Sequence, residues 1–123
     1  LFHLKKGGRL FINVPALNQF HSTYDQAVGH IRRYDTSMMM RTLKRPDLTV
    51  IDMRYWGFVL LPLLALRKML ENKNKPSTQI IQEGFKPPHQ GFNQVMKWIS
   101  GVETRLLKKP IMGTSLMAVA IKN

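Results

Sequence analysis

The chain has 123 residues, no cysteine, and 19 Lys plus Arg against 7 Asp plus Glu, for a formal charge of +12. That length permits one domain at most, and a free-standing domain of this size buries only about two-thirds of its unfolded surface. Disulfides and thiolate metal sites are excluded, and the four His are scattered without ligand-like spacing, so no metal is expected. The basic excess favours anionic partners such as nucleic acid, phospholipid head groups or phosphorylated substrates, unless matching acids lie in another part of a longer chain. No signal-peptide pattern opens the sequence, which fits a cytoplasmic protein.

In chain order, Lys5 and Lys6 suit the C-terminus of a helix, and Gly7-Gly8 offer the positive φ needed to leave it. Leu10, Phe11, Ile12 and Val14, bounded by Gly and by Pro15, predict a short central strand with both faces covered. Pairing should stop near Pro15, which has no N–H to give. Residues 17 to 34 are polar without a steady period and predict a functional loop or broken helix. If the preceding strand is parallel, this loop starts at the ligand crevice of an open α/β sheet. Asp35-Thr36-Ser37 supplies an N-cap for a helix of about two turns, which Pro46 closes. Leu48, Val50, Ile51 and Met53 predict a second strand near the sheet edge, because Thr49 and Asp52 interrupt its apolar pattern.

Residues 56 to 66 are eleven without a charge before Arg67-Lys68, well short of the roughly 20 that cross a bilayer. A helix apolar all round must be covered, so this stretch predicts a core element or lid, with docking to a partner or a membrane surface as alternatives. Residues 71 to 90 carry Pro76, Gly84, Pro87 and Pro88 and predict a connector with at most a helical turn at Ile80-Ile81. Phe92, Val95, Met96, Ile99, Val102 and Leu106 recur at spacings of three and four, predicting an amphipathic helix over about 92–108. Ser115 to Ile121 predicts a final strand, so residues 56–110 form a helical insertion between the last two strands.

Two motifs carry a family resemblance. Leu4-Lys5-Lys6-Gly7-Gly8-Arg9-Leu10 resembles the entry to the fifth strand of class I S-adenosylmethionine-dependent methyltransferases, with Lys6 where Pro is common. Val14-Pro15-Ala16 followed by Asp25-Gln26-Ala27-Val28-Gly29-His30-Ile31-Arg32-Arg33-Tyr34 resembles a bacterial subgroup with Asp-x-x-x-Gly-His-x-x-Arg-Tyr after that strand. The resemblance covers most of the chain and weakens between Lys73 and Lys109. It implies an α/β fold: the C-terminal half of a Rossmann-like sheet, about three strands with flanking helices. The last strand would run antiparallel between the other two. The glycine-rich loop and acidic strand end that contact S-adenosylmethionine in the family precede the fifth strand, so the resemblance implies a partial domain with the donor bound mainly by an N-terminal half. The edge of residues 10–14 would then be unpaired, predicting self-association.

Within this reading, Asp25 and His30 can cooperate as orienter and base, since a carboxylate fixes an imidazole tautomer and supports proton removal from a substrate. A sulfonium donor is already activated, so placement of the acceptor supplies much of the catalysis, and the alternative is that His30 holds the loop together. Arg32 and Arg33 can clamp a substrate carboxylate or phosphate, or form a solvated basic turn. Tyr24, Tyr34 and Trp56 are candidates for the substrate wall. Phe20, Trp56 and Phe58, with residues 60–66, suggest a small-molecule or lipophilic acceptor. The competing reading is a non-enzymatic basic module on nucleic acid or an anionic membrane surface. Nucleic acid is disfavoured, because the basic residues are dispersed and no recognition motif accompanies them.

Overall fold

The run Ser-Leu-Met-Ala-Val-Ala-Ile-Lys at the end of the chain is the structural centre. In the computed structural model, which describes residues 3–70, 76–85 and 89–123, it forms strand β3 (Ser115–Lys122). On one side lies β1 (Arg9–Pro15) and on the other β2 (Leu48–Trp56), both antiparallel to β3, giving the order β1-β3-β2. The protein is therefore mixed α/β, a small three-stranded antiparallel sheet with flanking helices. The helices are α1 (Thr23–Ala27), α2 (Thr36–Leu43), α3 (Leu61–Met69), α4 (Ser77–Phe85) and α5 (Gln90–Leu106). Gly7 takes φ 76° in the turn entering β1, and its N–H donates to the Lys122 carbonyl at 2.8 Å. Residues 3–8 form a turn, and the helix expected before it has no counterpart among the described residues.

One face of the sheet is built to be covered. Ile12 and Val14 of β1, Leu116 and Ala118 of β3, and Val50, Met53 and Tyr55 of β2 meet Met39 and Leu43 of α2, with Ala16 and Leu17 closing the end of the cluster. The helix reaches this face because Asp35 caps it, accepting from the Met38 N–H at 2.7 Å, and because Met39 and Leu43 fall one turn apart on its inner side. Met40, on the outer side, is exposed. A bulge between Val50 and Asp52 lets Ile51 leave the ladder outward, which accounts for the broken alternation of the β2 sequence.

The opposite face corrects the expectation that residues 10–14 are covered on both sides. Phe11 is 65% exposed, and β1 alternates exposed and half-buried residues. An uninterrupted apolar run reveals that two faces can be buried, not that both partners lie in the same stretch of chain. On this face Trp56 donates from Nε1 to Asn13 Oδ1 at 2.9 Å, bridging the two outer strands across β3.

The outer edge of β1 is partly closed. Tyr34 forms an isolated parallel bridge to Ala16, donating from its N–H to the Pro15 carbonyl at 2.8 Å and accepting from the Leu17 N–H at 3.1 Å. The antiparallel ladder leaves the backbone groups of Arg9, Phe11 and Asn13 pointing away from β3, so only that part of the edge stays open.

Three further expectations change. The apolar stretch 56–66 becomes the end of β2, a 3-10 turn (Phe58–Leu60) and α3, and no residue of α3 is buried. Of the expected core element or lid, α3 is not a buried core helix: it borders the cleft through Leu64, and Leu61 packs against the core. Residues 71–75 and 86–88 of the expected connector lie outside the described residues, but between them α4 is a regular helix packed on α1. Pro76 opens that helix, its carbonyl accepting from the Gln79 and Ile80 N–H groups, rather than forbidding it. α5 runs unbroken through Gly101.

Gly113 lets the chain pass close against the end of β2. A Cβ there would lie 2.3 Å from the Trp56 carbonyl oxygen, so no side chain fits where the chain turns into β3.

Candidate functional site

Residues 17–34 leave β1 at Pro15 and return to it at Tyr34, forming a closed loop at the C-terminal end of the strand. Its shape follows from a few local rules. Ser22 caps α1, accepting from the Asp25 N–H at 3.4 Å, and Asp25 Oδ2 accepts in return from the Ser22 N–H at 3.0 Å. After α1 the chain turns at Gly29, and the His30 N–H donates to the Asp25 carbonyl at 2.7 Å. His21 Nε2 donates to the His30 carbonyl at 3.1 Å, tying the two sides of the loop together.

Asp25 is the hub. Its side chain is 1% exposed, and Oδ2 also accepts from the Ser22 hydroxyl at 2.9 Å and from Arg33 Nε at 3.0 Å, with Arg33 Nη2 at the same distance. The Arg33 guanidinium is also buried and donates through Nη1 to the Ala16 carbonyl at 3.2 Å. Burial pushes the Asp25 carboxyl up, but hydrogen bonds from Arg33 and Ser22 and the charge of Arg33 outweigh it and hold the pKa below its ordinary value. Asp25 is thus an anion at neutral pH.

The second carboxylate oxygen behaves differently. Asp25 Oδ1 has no hydrogen-bond partner among the described residues, and His30 Nδ1 lies 3.4 Å from it. The His30 side chain is 45% exposed. The contact is an ion-pair approach and not a hydrogen bond; a proton on Nδ1 would leave Nε2 as the acceptor, the tautomer a proton-accepting imidazole needs.

These groups border a cleft of about 340 Å³ between the end of β1, the loop, the start of β3 and α3. Asn13, Tyr24, Asp25, His30, Leu64 and Ser115 are among the residues that line it, and its wall is about evenly polar and apolar in character. The Arg67 guanidinium of α3 lies 4.0 Å above the Tyr24 ring, and Lys68 Nζ donates to the Gln19 carbonyl, so α3 is attached to the loop through its basic end.

The sequence candidates separate accordingly. Tyr24, Asp25, His30 and Arg33 come together at the cleft. Arg33 is turned inward, its guanidinium engaged by Asp25 and by the Ala16 carbonyl. Arg32 is exposed, 5.9 Å from the Tyr34 ring centre, and neither lines the cleft. Tyr34 and Phe20 pack against the core, and Trp56 is bound to Asn13 on the other side of the sheet. The greasy wall expected from Phe20, Trp56 and Phe58 is not assembled.

Glu103 is a residue that sequence reasoning misses. It is 5% exposed and accepts from the N–H groups of Phe58 at 2.8 Å and Val59 at 3.2 Å, satisfying the start of the 3-10 turn that leads into α3. Its one signal is its place between Ile99, Val102 and Leu106, an acid beside an apolar stripe. Among the described residues no group of three or more His, Asp or Glu is placed to hold a metal ion. No family model matches the chain, and neither a curated protein nor a solved structure matches it.

Proposed function

We propose that this chain is the acceptor-side, C-terminal part of an S-adenosylmethionine-dependent methyltransferase with a Rossmann-like sheet, the donor being held by residues outside this stretch. The observation that carries the reading is the strand order. A final strand lies antiparallel between two strands that run parallel to each other, which is the arrangement the motif resemblance implies. The closed loop at the C-terminal end of β1 and the cleft beside it support the same reading, because open α/β sheets bind ligands at that end.

On this reading the donor is left to residues outside this stretch: the cleft's one carboxylate, Asp25, is taken up on Oδ2 by Arg33 and Ser22 and has His30 beside Oδ1. The residues of this chain act on the acceptor. Tyr24 and Leu64 give it an apolar wall, Asn13 and Ser115 give it hydrogen-bond partners, and Asp25 orients His30 to take a proton at Nε2.

The test is methyl transfer from radiolabelled S-adenosylmethionine by the complete product of the reading frame that contains these residues, offered short- and long-chain hydroxy, amino and carboxylic acceptors. Transfer to one acceptor class is expected, with His30→Gln lowering kcat by about 10²-fold or more, the range of general base catalysis, and flattening the pH profile. A His30→Gln enzyme with an unchanged rate and profile removes the base role. A complete protein that neither binds nor uses the donor removes the methyltransferase reading.

A further inference from the structure

α5 has a surface that the cleft does not use. At about 100° per residue, Phe92, Val95, Trp98, Ile99, Val102 and Leu106 fall within one arc of roughly 120°, an amphipathic stripe. In a folded protein such a stripe normally faces the core. Here Trp98 is 71% and Leu106 75% exposed, Phe92 and Val95 are about half exposed, and the helix is held to the fold at the border of the stripe, where Glu103 meets the 3-10 turn before α3. The stripe continues beyond the helix in Ile111, also largely exposed.

The charges around it are mostly basic. Between His89 and Gly113 the single acid is Glu103, and it is buried. Arg105 lies at the edge of the stripe, Lys108 and Lys109 follow it, and all three are exposed, Lys109 Nζ lying 3.8 Å from Asp52 Oδ1 of β2; Lys97 is on the opposite face of the helix. α3, joined to the same 3-10 turn, adds exposed Leu63, Leu66 and Met69 beside Arg67 and Lys68, again without an acid.

We propose that α5 seats this chain on an anionic phospholipid surface, with Phe92, Val95, Trp98 and Leu106 in the acyl–headgroup boundary and Arg105, Lys108 and Lys109 among the phosphates. Charge decides among the occupants. A second copy would bring the same three cations against these, on a chain of net charge +12. Nucleic acid would satisfy the cations but leave an indole and aliphatic groups facing phosphates. An anionic bilayer matches both the apolar centre and the basic rim. The helix lies in the surface, since no described helix is long and apolar enough to cross a membrane. This inference does not depend on methyl transfer.

The experiment is co-sedimentation of the chain with vesicles of phosphatidylcholine alone and of phosphatidylcholine mixed with phosphatidylglycerol, alongside quenching by brominated lipid in a Trp56→Phe background, where Trp98 is the only indole. Binding to the anionic vesicles at least about tenfold tighter than to neutral ones, weakened by salt, with Trp98 quenched, is the expected result. Trp98→Glu should abolish it. Arg105→Glu with Lys108→Glu, which leaves the apolar stripe intact, should weaken it about tenfold while far-UV circular dichroism stays unchanged. Absence of anionic-vesicle binding, or binding indifferent to both variants, overturns the proposal. So does a dimer lost in Trp98→Glu without vesicle binding, which would assign the stripe to a second copy, or salt-sensitive binding to duplex DNA that replaces binding to vesicles.

Discussion

The Asp25–Arg33 pair sets a quantitative expectation. Arg33→Met keeps the length and most of the volume of the buried side chain but removes both guanidinium contacts to Asp25 Oδ2 and the donor to the Ala16 carbonyl. Leaving a buried charge without its partner costs about 3–5 kcal/mol. Ser22 still donates twice to the same oxygen, which points to the lower end, about 3 kcal/mol, and the unpaired Ala16 carbonyl adds about 1 kcal/mol. A total of about 4 kcal/mol corresponds to a melting temperature lower by about 15 °C in a chain of this size. Urea unfolding followed by circular dichroism, with Asp25→Asn and the double variant completing a cycle, measures both the loss and the coupling. The pH dependence gives an independent check. In the native protein the folded pKa of Asp25 lies below its ordinary value of 3.8. Its contribution is therefore complete above that value and disappears as pH falls through the lower folded one. In Arg33→Met the burial that raises the pKa is no longer opposed by Arg33, so acidification neutralises a poorly compensated charge and the gap to wild type should narrow between neutral pH and about pH 4. A loss under about 1 kcal/mol at neutral pH, or a gap that does not change with pH, would refute the reasoning.

Three other outcomes follow from the geometry. Glu103→Ala leaves the Phe58 and Val59 N–H groups without an acceptor and should cost about 1.5–3 kcal/mol in urea unfolding, with Glu103→Gln recovering part of it. Gly113→Ala places a Cβ against the Trp56 backbone, which cannot yield as a side chain end does, and should lower the melting temperature by the equivalent of about 1–3 kcal/mol in differential scanning calorimetry. The chain should self-associate with rising concentration through the open Arg9–Asn13 edge, and Phe11→Lys should return it to monomer in sedimentation velocity; a species distribution untouched by that change places the contact elsewhere.

Local chemistry makes several elements legible in the order of residues alone. The Asp35 cap, the uninterrupted apolar β3 run and the spacing of α5 each state their element directly, and the antiparallel insertion of β3 between the outer strands is what the motif resemblance implies. The misses have a common cause: a residue's pattern does not name its partner. Residues 10–14 are apolar enough for two covered faces, yet the described chain covers one. The stretch 56–66 reads as core or lid because it is apolar; Leu61 packs on the core and Leu64 borders the cleft, while Leu63 and Leu66 are exposed. Pro76 and Gly84 look like breakers, but Pro at the start and Gly near the end are also what a helix tolerates, and α4 starts just after the one and runs through the other. At the site, Ser22-x-x-Asp25 is a capping box visible in one dimension. That Asp25 also takes Arg33 depends on Tyr34 returning the loop to Pro15, a tertiary event with no local mark. It is also why Arg33 reads equally well as a substrate clamp.

The most direct test of the central claim is calorimetric titration of S-adenosylmethionine into two proteins, residues 1–123 alone and the complete product of the reading frame that contains them. A division of labour with the donor site outside this stretch predicts saturable one-site binding by the complete protein and none by residues 1–123. Tight binding by residues 1–123 alone would contradict the assignment of the donor site to other residues, and no binding by either would contradict the methyltransferase reading itself.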